Sequence, residues 1–360
     1  MSNKQIYQIF SSQAKKAGYK IMSLLSPKID TSSEVAIKPN LVLDKASNSG
    51  ATTDPKLVAG IVEYLIENGI NDISIMESSW VGASTEKAFK TCGYQKLADA
   101  YNLRLINLEA DNVIAKEGGD YQLKVHQAPF EIDYLINVPV LKAHCQTKMT
   151  CALKNIKGCI PDAEKRRFHT LGLHKPIAAL NTIIKSDLII VDGIVGDLTF
   201  EEGGNPVQMN RVLGGFDPVL IDTYVAQVLA LNKDEVKYIS YAEELGVGSS
   251  NFYRDNLTTV EMDKEISKLE KKGNKINKLS KYIKAEQACS SCYGSLLHAL
   301  NNLDKRGYNL SKNQFSIGQG FKDKATLGIG IGSCVTEAEN NISGCPPEAR
   351  KIVEELMKIL

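Results

Sequence analysis

Residues 34–79 read EVAIKPNLVLDKASNSGATTDPKLVAGIVEYLIENGINDISIMESS, and their patterning decides the fold. EVAIK is a short apolar run of strand character. In DPKLVAGIVEYLIENG the apolar residues Leu57, Val58, Ile61, Val62, Leu65 and Ile66 recur at helical spacing. Asp54 is a good N-cap, Pro55 suits the first helical position, and Gly69 follows the helix end. DISIME (72–77) is the next strand. The economical reading is a right-handed β-α-β crossover joining two parallel strands.

Further along, LRLIN (103–107), YQLKVH (121–126), DYLINVPV (133–140) and DLIIVD (187–192) have strand character, with helices near 174–185 and 217–231. Alternation of this kind predicts an α/β fold with a mostly parallel sheet flanked by helices. The C-terminal part predicts a smaller cysteine-rich α/β module. The boundaries follow from composition: an α/β domain over 1–263, a basic linker helix over 264–285, and the cysteine module over 286–360.

The bulk figures exclude several classes. Lys plus Arg number 43 against 42 Asp plus Glu, a formal net charge of +1 over 360 residues, so global charge gives no argument for nucleic acid. The start, MSNKQIYQIF, has no apolar stretch of signal-peptide length, and no run approaches a membrane span. A cytoplasmic setting without membrane insertion is expected. In that setting eight cysteines argue for metal or redox chemistry before disulfides.

Four of those cysteines lie in the tail. Cys289 and Cys292 form a CxxC, Cys334 follows after 41 residues in GIGIGSC, and Cys345 comes after ten more in GCPP. Four thiolates from three loops can enclose one centre. Glycine-rich backbone can pass close to a cluster and turn its N–H groups toward the sulfurs. Pro346 and Pro347 are expected to start the final helix, which puts Cys345 at a helix N-terminus. A zinc ribbon usually has two similar CxxC knuckles, so the unequal, glycine-lined second pair favours a 4Fe-4S cluster. Structural zinc and a simple dithiol stay open. Cys145, Cys151 and Cys159, in one irregular stretch, read first as small buried residues, with a second metal site as the alternative, while Cys92 lies in a TCGY turn.

Ligands of open α/β sheets bind beyond the carboxyl ends of the strands. Those positions here carry Lys38, Asn40, Glu77, Lys142, His144 and Asp192, with Lys154 and Asn155 in CALKNIKG and Asp217 before the helix at Pro218. The lysines, with Asn40, Asn155 and the acids, suit a small anionic substrate, and His144 and Lys142 are the candidate catalytic pair. For His144 a hydrogen-bonded structural role is the competing account. No Walker A motif and no dinucleotide fingerprint stand after the first strand, so no nucleotide cofactor is indicated and any additional organic cofactor is unknown.

IKPNLV, the DPKLVAGIVEYLIENG helix, MESS, NVPVLKAHCQTKMTCALKNIKGCIP, VDGIVG and GGFDPVLIDTYVAQVL together resemble the domain of unknown function family 362 (DUF362), from about residue 30 to 245. The resemblance implies a fold, a site and, in many members, an iron–sulfur module after this domain. The tail lacks the closely spaced cysteines of a two-cluster ferredoxin. GCPP is similar instead to a cluster-binding segment of hydrogenase small subunits and the related complex I subunit, which bears on Cys345 alone. The functional expectation is an anaerobic-type iron–sulfur oxidoreductase passing electrons to a small anionic substrate or cofactor. An electron carrier or cluster-delivery protein, and a zinc-stabilised ligand-binding protein, are the alternatives. KEISKLEKKGNKINKLSKYIK (264–284), with eight lysines against two glutamates, is either a solvated helix packed on the sheet domain or a docking face for an acidic donor such as a ferredoxin.

Overall fold

The structure, a computed structural model, describes residues 4–198, 201–203, 205–263 and 279–360. Residues 264–278, the greater part of the lysine-rich segment, lie outside the described residues. The described residues fall into two compact units, one within Met1–Lys165 and Leu173–Lys271, the other within Arg166–Gly172 and Lys272–Leu360.

The larger unit is built on an eight-stranded sheet. Its spatial order is Leu257–Glu261, Ile6–Phe10, Pro206–Gly215, Leu188–Asp197, Tyr134–Val138, Val35–Pro39, Ile73–Glu77 and Arg104–Asn107. All neighbours run parallel except Pro206–Gly215, which is antiparallel to both strands beside it. Val35–Pro39 and Ile73–Glu77 pair in parallel across the helix Pro55–Glu67, and every residue of both strands is buried. That is the condition under which strands read as continuous apolar runs.

Asp54 caps the crossover helix by accepting from the Lys56 N–H, and Pro55 follows as its first residue. Ile66, placed on the apolar face from its spacing, is instead 38% exposed at the last turn. The helix packs against Ala14–Leu25 at glycine positions: a Cβ on Gly18 would lie 2.2 Å from the Leu57 carbonyl oxygen, and one on Gly60 would lie 2.0 Å from that of Lys15. Only glycine allows the two backbones to approach so closely. YQLKVH does form a strand, Tyr121–His126, but it pairs with Val113–Gly118 in a separate hairpin outside the main sheet.

The smaller unit has its own four-stranded, all-parallel sheet in the order Ile283–Ala285, Phe315–Ile317, Thr326–Ile331, Ala338–Ile342. Helices Ser290–Lys305 and Ala349–Ile359 bury Leu296, Leu297, Leu300, Ile352 and Leu356. Two local readings need correction. The GIGIG stretch is mostly strand, ending at Ile331, with the turn only at Gly332. The last helix begins at Ala349 rather than at the prolines, because Pro347 keeps Pro346 out of the helical region and Glu348 is still extended at ψ 139°. Among the described residues no helix is long and apolar enough to cross a membrane.

Candidate functional site

The strand-end residues of the larger unit gather into two polar clusters. The first is a buried ion pair. Lys38, at the end of Val35–Pro39, reaches Glu77 at the end of the neighbouring strand, Nζ to Oε1 2.9 Å, with both side chains essentially enclosed. Glu77 also accepts from the Ser78 N–H on Oε1 and from the Leu41 N–H on Oε2. Asn155 binds the same strand end, donating to the carbonyls of Lys38 and Pro39 and to Asn137 Oδ1, while its own oxygen accepts from Asn40.

Gly158 covers this pair. A Cβ there would stand 1.9 Å from Glu77 Oε1 and 2.4 Å from Lys38 Nζ. Gly158→Ala is therefore expected to lower stability by about 1–3 kcal/mol, the usual cost of overpacking. A urea midpoint equal to that of the parent protein would contradict it.

The second cluster surrounds the short antiparallel pair Lys142–His144 and Lys148–Thr150. Glu201, 3% exposed, enters it from the chain following Leu188–Asp197. Its Oε1 lies 3.4 Å from His144 Nε2 and 2.9 Å from Cys145 Sγ, and its Oε2 accepts from the Cys145 N–H. Lys142 and Lys154 both feel the Glu201 charge. Burial pushes the Lys142 ammonium down to about 7, with Lys154 adding to the shift, and it pushes Lys154 down to about 8. Glu202 is pushed up to about 8 by burial and by its neighbour Glu201.

His144, Cys145 and Glu201 offer donor atoms all within 4.8 Å of one another, a grouping that could hold a metal ion. The ring orientation speaks for a different use. His144 Nδ1 accepts from the backbone N–H groups of Gln146 and Thr147, so a neutral ring carries its proton on Nε2, which lies 3.4 Å from Glu201 Oε1, at ion-pair distance but outside hydrogen-bond geometry. A metal-ligating imidazole ordinarily donates from its second nitrogen instead of accepting there. The Cys145 thiol is held well above the ordinary thiol range, by burial first and by Glu201 second. It is a donor in this arrangement.

Lys38, Asn40, Glu77 and Asn155 thus share one network, and Lys142, His144 and Lys154 share the other. The two are linked electrostatically, since Glu77 acts on Lys142. Asp192 and Asp217 are used differently. Asp192 accepts from the Asp54 and Ile194 N–H groups, and burial pushes its carboxyl up to about 7. Asp217 caps Pro218–Val228 through Val219 and Leu220 and also accepts from Ser249. Both carboxylates are taken up by backbone N–H groups.

Glu201 was not a candidate from sequence, and Cys145 only as part of a second metal site with Cys151 and Cys159. The one available signal was the acidic-glycine run EEGG shortly after a buried strand. Cys151 and Cys159 are buried, in keeping with their reading as small core residues, and so is Cys92, whereas Cys145 is only half-buried.

In the smaller unit the four tail cysteines share one edge. Cys289 and Cys292 follow Ile283–Ala285, Cys334 follows Thr326–Ile331, and Cys345 follows Ala338–Ile342, all after the carboxyl ends of parallel strands. Cys289 is the N-cap of the helix Ser290–Lys305, which places Cys292 in its first turn. Gly332, at φ +94°, brings backbone beside Cys292: a Cβ there would be 4.0 Å from the sulfur and 3.6 Å from the Gly344 carbonyl oxygen. The Gln319 amide reaches Cys289 Sγ at 3.8 Å, and the Cys334 thiol is raised by burial and then by Cys345.

The domain of unknown function family model (DUF362) matches residues 35–227, which contain both polar clusters and none of these four cysteines. The thylakoid-associated protein sll1697 of Synechocystis sp. is 24% identical over 224 residues, 59% of this chain and 68% of that protein. The lactate racemase apoprotein from Thermoanaerobacterium thermosaccharolyticum is a structural match at 11% identity and TM-score 0.40, covering 63% of this chain and 58% of that one. The chain thus spans less than two thirds of that structure.

Proposed function

The chain belongs to the DUF362 family, and from that premise we propose that it is an iron–sulfur redox protein in which electrons from a 4Fe-4S cluster serve a small anionic substrate or cofactor bound among the lysines of the larger unit. The observation that supports this most is the placement of Cys289, Cys292, Cys334 and Cys345 at one edge of one parallel sheet. The donor set fits the group. Four soft thiols follow the carboxyl ends of parallel strands of one sheet, Gly332 leaves space beside Cys292, and the Gln319 amide is aimed at a sulfur. Such a cluster, when bound, supplies one-electron chemistry.

The rest falls to this chain's own side chains. Lys142 and Lys154 hold the anion, Lys38 and Glu77 fix the neighbouring strand ends, and His144 Nε2–H is the proton donor. The working location is the cytoplasm, and the electron donor an acidic protein such as a ferredoxin.

Anaerobic purification followed by iron, sulfide and zinc analysis tests the proposal. About four iron and four sulfide per chain with broad visible absorption are expected. A colourless protein holding zinc would replace the redox reading with that of a zinc-stabilised ligand-binding protein. A brown protein that binds no small anion would favour an electron carrier.

Two further outcomes follow. The lysine-rich segment carries eight positive charges, and steering by exposed charges is screened within about 8 Å at physiological ionic strength. Reduction by an acidic ferredoxin should therefore slow with added salt, and rates flat in salt would remove the segment from docking. Anion binding should weaken between pH 6 and pH 9. The Lys142 and Lys154 ammonium groups, which face Glu201 and, for Lys142, Asp197 and Glu77, lose their charge near 7 and 8, while Glu202 gains one near 8. All three changes disfavour an anion, and titrations giving equal affinity at both pH values would place it elsewhere.

A further inference from the structure

We infer that Gln319 sets the reduction potential of the centre held by the tail cysteines, by donating a hydrogen bond from its side-chain amide to the Cys289 sulfur. This rests on the iron–sulfur reading of the four cysteines and adds to it a side chain that is not a ligand.

The first ground is the place of Gln319 in the small sheet. Four parallel strands end at one edge, and three of the loops beyond them carry cysteines: Cys289 and Cys292 after Ile283–Ala285, Cys334 after Thr326–Ile331, and Cys345 after Ala338–Ile342. The fourth loop, which follows Phe315–Ile317, has no cysteine and carries Gln319 between Gly318 and Gly320. The half-buried Gln319 places its Nε2 3.8 Å from Cys289 Sγ. Among the described residues this is the one hydrogen bond that its side chain makes.

The second ground is how that loop is fixed. A Cβ on Gly318, which stands at φ +120°, would lie 2.0 Å from the Glu286 carbonyl oxygen and 2.6 Å from the Ala288 nitrogen, and one on Gly320 would lie 2.7 Å from Glu286 Cβ. Glycine on both sides lets the loop lie against the segment that leads into Cys289. Backbone bonds hold it there: the Gly320 N–H donates to the Glu286 carbonyl at 2.9 Å and the Gln319 N–H to the Gln287 carbonyl at 3.3 Å. The Gln319 side chain is not needed for the shape of its own loop, and its amide is spent on the sulfur.

The third ground is the charge around the cysteines. Reduction adds one electron, and with it one negative charge, to the centre and its thiolates; no bond breaks and no proton moves, and the electron comes from the acidic donor protein of the same reading. Hydrogen-bond donors and cations facing the sulfurs therefore favour the reduced form. Glu286, the acid nearest Cys289 in sequence, is paired with Lys284 at 3.5 Å. On the far side of the edge Arg166 and Lys322 act on Cys334, with no carboxylate among the groups acting on it. Arg166 belongs to the same compact unit and is half-buried, so its charge is less screened than that of the exposed Lys322. These groups act in the same direction as the Gln319 amide, toward a potential higher than the four thiolates alone would set.

The test is potentiometric titration of the full chain, purified without oxygen, with iron and sulfide analysis, for the parent protein, Gln319→Met and Gln319→Glu. Methionine keeps the side-chain length without an N–H donor, and glutamate keeps the shape while setting a carboxylate against the sulfur. A hydrogen bond to a charged group weighs on the scale of a tenfold change in an equilibrium constant. At a fixed applied potential the ratio of reduced to oxidised centre should therefore fall about tenfold in Gln319→Met, a shift of about 59 mV for one electron, and further in Gln319→Glu. Iron and sulfide content should match the parent in both, because backbone bonds hold the loop. Midpoints equal to or above that of the parent, with iron and sulfide retained, keep the iron–sulfur reading and overturn the role of Gln319. Loss of iron from both variants would make the side chain part of cluster retention and overturns that role as well, while loss from the glutamate variant alone leaves the methionine variant to decide. Absence of iron and sulfide from the parent protein removes the iron–sulfur reading and the inference with it.

Discussion

Replacing Cys334 with serine is expected to remove the broad visible absorption and most of the iron and sulfide from anaerobically purified protein. A serine hydroxyl does not ionise near neutral pH and is a hard oxygen donor, whereas cluster iron is held by soft thiolates. The position offers little to compensate. Cys334 lies two residues after Gly332, and its thiol responds to Cys345, Lys322 and Arg166, with no carboxylate or imidazole among the groups acting on it. Serine at Cys92 is the control, since that cysteine belongs to the larger unit, its Sγ lies 3.1 Å from the Lys45 carbonyl oxygen, and burial pushes its thiol up to about 11. The Cys92 variant should keep its colour. Full iron and sulfide retained on Cys334→Ser would exclude Cys334 from the ligand set, and bleaching by Cys92→Ser would point to loss of fold.

What could be read from the sequence was what repeats along it. The crossover from Val35 to Glu77 was legible because its strands are wholly buried and its helix is punctuated by Asp54, Pro55 and Gly69. The strand-end placement of Lys38, Asn40 and Glu77 followed from the rule that parallel strands bring their carboxyl ends to one edge, but the single cleft expected to gather Lys38, Lys142, His144, Lys154 and Asn155 is two clusters. Several elements escaped, three of them instructive. Ile6–Phe10 and Ala14–Leu25 precede the first turn signal used, and Pro206–Gly215 contains proline, asparagine and two glycines, the composition of a loop. Its strand form depends on pairing with Leu188–Asp197 and Ile6–Phe10, a tertiary fact. Glu201 was missed for a related reason. No local pattern marks a carboxylate that becomes important only when a distant chain segment brings it to His144 and Cys145.

Replacing Lys38 with alanine should destabilise the larger unit by about 3–5 kcal/mol, the range for breaking a buried ion pair by removing one partner. The cost comes less from the lost attraction than from what remains. Glu77, 2% exposed, would keep its bonds to the Ser78 and Leu41 N–H groups but lose its one contact cation, leaving a charge in a site closed by Gly158. The paired change separates this account from simple loss of packing. Lys38→Met with Glu77→Gln removes both charges at nearly constant volume, but a glutamine amide cannot accept from both the Ser78 and Leu41 N–H groups, so the double variant should recover part of the stability lost in Lys38→Ala. Matched urea melts of the single and double variants decide it. A double variant as unstable as Lys38→Ala would show that the lysine matters for its packing, while near-parent stability of Lys38→Ala itself would mean that water or a shifted side chain already satisfies Glu77. Anion titration of the recovered double variant then reports function. Lys142 feels Glu77 directly, so retained stability with altered anion affinity would show that the ion pair also sets the charge of the neighbouring lysine cluster.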